Sequence, residues 1–276
     1  MITSSFWRER SVFVTGHTGF KGAWLALMLE RLNARVTGYG LSPATSPSLY
    51  DLVGASAALC DVRGDVRDAA LLDGALRAAD PDVVIHLATR PPRRAHAGAA
   101  VPERSARAEG DRAVIEAVQS APYVQTALIV SPEARKTARA KASRAPGGAR
   151  VLSVFCPDPV GGGDFAGATV APASGLHVLD ALYGLLLLAE TACHRDSRIS
   201  SYWAFASPDD ATALGWSPLL SPAEAVESAA AWTAAFEAGA DMRAFTLDQI
   251  DRYLGQRVRL TSPRADSAGA PLRAVA

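Results

Sequence analysis

Cysteine is sparse in this chain: Cys60, Cys156 and Cys193 stand far apart, and no two form a C-x-x-C pair. An odd, scattered set excludes a disulfide scaffold and offers no zinc-ligand spacing, so no metal site is expected. An excess of charge of either sign is also missing, since 28 Lys+Arg balance 28 Asp+Glu. That balance argues against nucleic acid or an anionic membrane surface as the main partner. Long hydrophobic runs are absent too. The most apolar stretch, Val178 to Ala189, is too short to cross a bilayer and carries Asp180. The first residues hold no apolar signal-like segment, and the expectation is a soluble, cytoplasmic protein. What the chain does have is core material. Its 276 residues, 49% of them hydrophobic, fit one large domain or one domain with a small appendage.

One stretch organises the rest, Val12-Phe13-Val14-Thr15-Gly16-His17-Thr18-Gly19-Phe20-Lys21-Gly22. A short apolar run with β-branched Val12 and Val14 predicts a buried first strand. The apolar-periodic segment from Trp24 to Leu32 predicts a helix. Between them lie three glycines at three-residue spacing. Gly16 permits the sharp turn off the strand, Gly19 lets backbone approach a pyrophosphate, and Gly22 lets the helix lie close to the sheet. The helix N-terminus then presents N–H groups and a positive dipole end to phosphates. The pattern is G-x-x-G-x-x-G, so its meaning comes from the strand and helix around it.

Further strands are predicted at Arg35–Tyr39, Ala57–Cys60, Asp82–His86, Thr126–Val130 and Arg150–Phe155. Helices are predicted at Ala69–Ala78, Pro102–Val118 and His177–Cys193, and another is opened by the capping box Ser221-Pro222-Ala223-Glu224 and stopped by Gly239. This alternation predicts an α/β, doubly wound Rossmann-type parallel sheet. The expected division is a Rossmann domain over 1–160, with the 177–193 helix packed on it, and a reduced, discontinuous C-terminal helical lobe over 161–254. The Arg/Ser/Pro/Ala-rich tail, 255–276, is expected to be disordered. After Tyr39 come Gly40, Leu41 and Ser42, so the acid that often binds the adenosine ribose is absent, and no arginine in that run replaces it. His86 reads as a strand-end histidine held by neighbours.

Thr-Gly-His-Thr-Gly-Phe-Lys-Gly resembles the cofactor loop of the extended short-chain dehydrogenase/reductases, and within them that of the nucleotide-sugar 4,6-dehydratases, the CDP-glucose 4,6-dehydratases in particular. Ser5-Phe6-Trp7, Thr45 to Tyr50, Gly64-Asp65-Val66-Arg67-Asp68, Val160 to Phe165, His177-Val178-Leu179, Leu185 to Glu190 and Gly239 to Arg243 follow in the same order. The resemblance implies NAD as cofactor and a CDP-glucose-like nucleotide sugar as substrate, with a homodimer or a partner subunit as the assemblies left open. It implies a cofactor set of Gly16, Thr18, Gly19, Phe20, Lys21 and Gly22, with Asp65 accepting from the adenine amino group and Val66 packed on the ring. Leu87, Ala88 and Thr89 would meet the nicotinamide ribose. For Asp65 alone, a solvated turn or helix-cap role is the alternative. Arg90, Arg93, Arg94 and His96 fall where the family carries basic residues near the substrate diphosphate, and a basic surface loop fits them equally. Arg107 and Asp158 replace asparagines of the family.

The catalytic positions are where this chain departs from the pattern. Ser131 fits the hydroxyl that orients the sugar 4-hydroxyl, but Pro132 occupies an acid/base position and only Glu133 follows, either as a base or as a first-turn helix carboxylate. The family's Tyr-x-x-x-Lys, two side chains on one helix face with the lysine lowering the tyrosine pKa, has no counterpart. No tyrosine here is followed by a lysine four residues on, and none lies between Tyr123 and Tyr183. Lys136 and Lys141 sit instead in an Ala/Arg-rich stretch. Two readings follow: a cofactor-binding relative with impaired catalysis, or an active nucleotide-sugar enzyme using Ser131 and Glu133.

Overall fold

The computed structural model describes residues 1–54, 59–88, 103–131, 148–165, 175–194, 199–205 and 213–261. In chain order the elements are α1 (Ser4–Trp7), β1 (Ser11–Thr15), α2 (Phe20–Arg31), β2 (Arg35–Gly40), α3 (Leu49–Val53), β3 (Leu59–Arg63), α4 (Ala69–Ala79) and β4 (Val83–His86). They continue with α5 (Glu103–Gln119), β5 (Thr126–Ser131), β6 (Arg150–Phe155), α6 (Val178–Cys193), β7 (Tyr202–Ala204), α7 (Pro222–Glu237) and α8 (Met242–Thr261). The strands form one sheet in the order β3-β2-β1-β4-β5-β6-β7, and every pairing is parallel. The expected doubly wound α/β fold is present.

Strand alternation sorts the core onto two faces. Val12, Val14, Val83, Ile85, Leu128 and Val130 point to one cluster, which also contains most of α2 and α6. Phe13, Val84, Ala127 and Ile129 point to the other, with Leu72 and Leu76 of α4 and Val114 and Val118 of α5. The apolar run that is too short for a membrane is α6, buried nearly all round, as a helix apolar on every side must be. Among the described residues no helix is long and apolar enough to cross a membrane.

Besides the four-residue α1, three elements were not expected. The edge strand β7 is only three residues long. α3 is a single turn whose N-cap Ser48 accepts from the Asp51 N–H. The third, α8, runs past the Leu254 boundary of the expected tail to Thr261. Arg257 holds that last stretch: its guanidinium lies 2.6 Å from the fully buried Asp180 carboxylate of α6, which the Tyr253 hydroxyl also donates to at 2.7 Å. Trp232, Met242, Ile250 and Tyr253 of the last two helices share the buried cluster of β1 and α2.

Candidate functional site

The strand order reverses at β1, whose neighbours β2 and β4 leave in opposite directions along the chain, so a crevice opens beyond the C-terminal ends of β1 and β4. The glycine turn fills that position. Gly16 has φ +74°, and a Cβ there would sit 2.8 Å from the Ala88 backbone, so only glycine fits. A Cβ on Gly22 would lie 2.2 Å from the Gly16 carbonyl oxygen. These two glycines close the turn onto itself and onto β4. Gly19 is different: a Cβ there would meet only the Gly16 oxygen, at 3.3 Å. It is the N-cap of α2 and supplies no side-chain cap, so the first-turn N–H groups are left for an outside acceptor.

Around the turn the expected residues divide. The Leu87 N–H donates to the Thr15 carbonyl at 3.0 Å and Ala88 lies against Gly16, which puts both beside the turn. Thr18 Oγ1 donates to the Leu41 carbonyl at 2.9 Å. Lys21 Nζ stands 3.5 Å from Asp158 Oδ1, and Trp24 Nε1 donates to the Gly162 carbonyl at 3.1 Å. Phe20 packs towards Gly161. The start of α2 is therefore tied to the loop after β6. Asp65 lies in the turn after β3, with both carboxylate oxygens taken by Arg67 at 2.6–3.2 Å. Those bonds hold its carboxyl below the usual carboxylate range. The cap of α4 falls to Asp68. Val66 sits against Gly110 of α5. Ser131 ends β5, and its carbonyl accepts from the Cys156 N–H at 2.9 Å. Thr89, Arg90, Arg93, Arg94, His96, Pro132, Glu133, Lys136 and Lys141 lie outside the described residues.

His86 is fully buried, with Nδ1 2.6 Å from Thr15 Oγ1 and Nε2 3.2 Å from Asp111. A second histidine went unread. His17, inside the glycine turn, is fully buried against Gly38 of β2, with Nε2 2.8 Å from Asp61 Oδ1. Burial lowers its pKa from 6.5 in spite of Asp61. The Tyr50 hydroxyl donates to the same carboxylate at 2.8 Å, and so does Arg63 at 2.7 Å. Arg63 also donates to the Leu41 carbonyl at 3.1 Å. The run after Tyr39 holds no arginine, yet the neighbouring strand brings one to it. A signal did exist: Gly38 and Gly40 alternate on one face of a strand, the spacing that clears room for a ring. Among the described residues no group of three or more His, Cys, Asp and Glu could hold a metal ion.

This arrangement is a Rossmann-type fold with a glycine-cradled strand-to-helix turn at its switch point. Residues 12–133 match the NAD dependent epimerase/dehydratase family, so the resemblance expected from the sequence is shown over that segment. The chain is 43% identical over 91 residues to the CDP-glucose 4,6-dehydratase of Salmonella typhimurium, an alignment spanning 33% of this chain and 25% of that protein. Its fold is similar to that of the Bordetella bronchiseptica enzyme WbmG in complex with NAD and UDP, with TM-score 0.57, 14% identity, and 84% of this chain and 97% of that one covered. It is also similar to dTDP-glucose 4,6-dehydratase from Bacillus anthracis in complex with NAD, with TM-score 0.54, 12% identity, and 81% and 96% covered. At such identities these two structures speak for the fold alone.

Proposed function

We propose that this chain binds NAD at the glycine turn and is a relative of the nucleotide-sugar 4,6-dehydratases with impaired catalysis. The observation that carries the binding half is the contrast within the cradle. Gly16 and Gly22 are walled in by backbone, while Gly19 is open beside uncapped helix N–H groups. That donor set suits a diphosphate. Gly16, Thr18, Gly19, Phe20, Lys21 and Gly22 form the phosphate end, Phe20 and Lys21 through their first-turn N–H groups, with Asp65 and Val66 at the adenine end and Leu87, Ala88 and Thr89 at the nicotinamide end. Bound there, the dinucleotide would supply a hydride acceptor for a sugar carbon. Ser131, at the end of β5, is the residue that would orient a sugar hydroxyl, with a CDP-glucose-like nucleotide sugar as the ligand class.

The impairment rests on the sequence. Taking a proton from a sugar hydroxyl needs a base, and Tyr-x-x-x-Lys is absent while Pro132 cannot carry a proton. Losing one general base costs about 10²–10⁴ in rate, and here more than one group is gone. Ser131 is too weak a base at neutral pH, which leaves Glu133 to serve every proton transfer of the cycle.

Two measurements test this. Mass spectrometry of ligand released from the purified protein should find a nicotinamide dinucleotide, and Gly19→Val should abolish its binding by filling pyrophosphate space. A variant that binds as tightly as the parent moves the site elsewhere. Incubation with NAD and CDP-glucose should yield no 4-keto sugar at an enzyme-like rate. Turnover near that of an intact relative, lost in Glu133→Gln, would overturn the impaired reading.

A further inference from the structure

Strand β4 leaves the sheet where the crevice begins. Its register with β1 ends at the pair of Thr15 and His86. The next N–H, that of Leu87, still finds the Thr15 carbonyl at 3.0 Å. The Ala88 N–H lies one residue further on, and its acceptor is a side chain, Thr15 Oγ1, at 3.4 Å. A hydroxyl thus makes the last tie between β1 and the backbone that walls Gly16.

That hydroxyl is itself held. Thr15 Oγ1 lies 2.6 Å from His86 Nδ1, and His86 Nε2 lies 3.2 Å from Asp111 Oδ1 on α5. The directions follow from the chemistry of the groups. A carboxylate only accepts, so Asp111 takes the Nε2 hydrogen. In the neutral ring that leaves Nδ1 as an acceptor, and the Thr15 O–H donates to it. With its hydrogen so placed, Oγ1 keeps its lone pairs for the Ala88 N–H. Thr15 and His86 are fully buried, whereas the Asp111 side chain is 15% exposed. The chain of bonds therefore runs one way, from a carboxylate on α5 to a backbone N–H at the crevice. Polar groups at that depth are costly unless paired, and here the Thr15 hydroxyl and both His86 nitrogens have partners.

We propose that Asp111 is a positioning residue for the nicotinamide end of the site. Acting through His86 and Thr15, it sets the Leu87–Ala88 backbone against which the nicotinamide ribose lies. This rests on the reading of the crevice as a dinucleotide site.

The test compares two ligands that differ in reach. NADH spans the whole crevice, while ADP takes the adenine and phosphate ends alone. Both are titrated by calorimetry into the full chain, for the parent, Asp111→Asn and Asp111→Leu. Leucine offers no acceptor for the Nε2 hydrogen, whereas asparagine keeps one in Oδ1. Asp111→Leu should weaken NADH about 10-fold, the scale of a lost hydrogen bond to a charged group, and leave ADP within about threefold. Asp111→Asn should hold NADH within about threefold. Nitrogen NMR of the parent should find the His86 ring hydrogen on Nε2 and none on Nδ1. Should Asp111→Leu not fold, Asp111→Ala, with the best helix former, decides on the same criterion. A hydrogen on Nδ1, NADH affinity unchanged in Asp111→Leu, or equal losses of NADH and ADP would overturn the positioning role and leave the dinucleotide site standing. Failure of NADH to bind the parent overturns the site itself and the proposal with it.

Discussion

Two glycine-rich loops flank the start of α2, and they use glycine for opposite ends. In the turn after β1, Gly19 is left open to the outside. In the loop after β6, Gly161, Gly162 and Gly163 are filled by the protein's own side chains. A Cβ on Gly162 would lie 2.1 Å from the Trp232 ring, and one on Gly161 would lie 2.6 Å from Val178. The first loop leaves Gly19 open, and the second makes room for a helix. Glycine count does not separate the two cases; what a Cβ would strike does. Each loop also has a buried histidine beside it, His17 in the first and His177 beside the second, where Val160 forms a bridge with it.

The sharpest way to break the contrast is to add one methyl group to each loop. Gly162→Ala drives a carbon into Trp232, which is 1% exposed and donates to Thr246 at 2.9 Å, so it has little freedom to move. Overpacking of that kind should cost about 3 kcal/mol, at the upper end of the usual range. Gly19→Ala meets only the Gly16 oxygen and should cost less than about 1 kcal/mol. Urea unfolding of both variants measures this. Equal losses would mean that both loops are structural.

The contrast also marks how far the sequence could be read. The first strand and the strands that became β4, β5 and β6 were legible because β-branched runs declare buried parallel strands. So was the Ser221 capping box, found with both reciprocal bonds in place. What escaped depends on partners far away in the chain. α8 has little apolar periodicity, and it is anchored by Arg243 on Glu30 at 2.7 Å and Arg257 on Asp180 at 2.6 Å. Arg63 at the end of β2 is a fact of register between strands, not of any local run. For the candidate site, the tight glycine turn between β1 and α2 was legible from spacing, whereas the Asp61 network around His17 was not.

Acid should separate the two histidines. His177 is 1% exposed and caps α6 by accepting from the Leu179 N–H. Burial pushes its pKa down from 6.5 to about 4. An imidazole kept neutral in this way contributes stability that is complete above pH 6.5 and is lost as pH falls toward 4. The loss should reach about 3 kcal/mol. His17 has Asp61 at 2.8 Å to favour its charged form, so its share should be smaller. His177→Asn keeps a capping side chain and should flatten the dependence of unfolding free energy on pH between 6.5 and 4. His17→Asn should leave most of it. A slope unchanged in the first variant and abolished in the second would reverse the assignment.

The smallest effect belongs to the residue that joins the loops. Lys21 lies in the first glycine turn, and its ammonium stands 3.5 Å from Asp158, at the entry to the second loop, whose side chain is 59% exposed. A pair with one partner so open to water gains little from Coulomb attraction, because solvent screens it and the lysine must give up freedom to keep it. Lys21→Met keeps the apolar stem and removes the charge, so stability should change by less than about 1 kcal/mol. The informative reading is dinucleotide affinity, measured by calorimetry on the same variant. A lysine whose work is to tie α2 to the β6 loop should leave that affinity within about threefold, since a surface pair is worth less than 1 kcal/mol. A lysine that contacts the bound diphosphate would lose about 10-fold or more when its charge is removed, the scale of a bond to a charged group. Because the ammonium stands against Asp158 and the pair lies on the β6-loop side of α2, the smaller change is expected. A tenfold loss would mean that Lys21 leaves Asp158 when the ligand arrives and that the two loops are coupled through it.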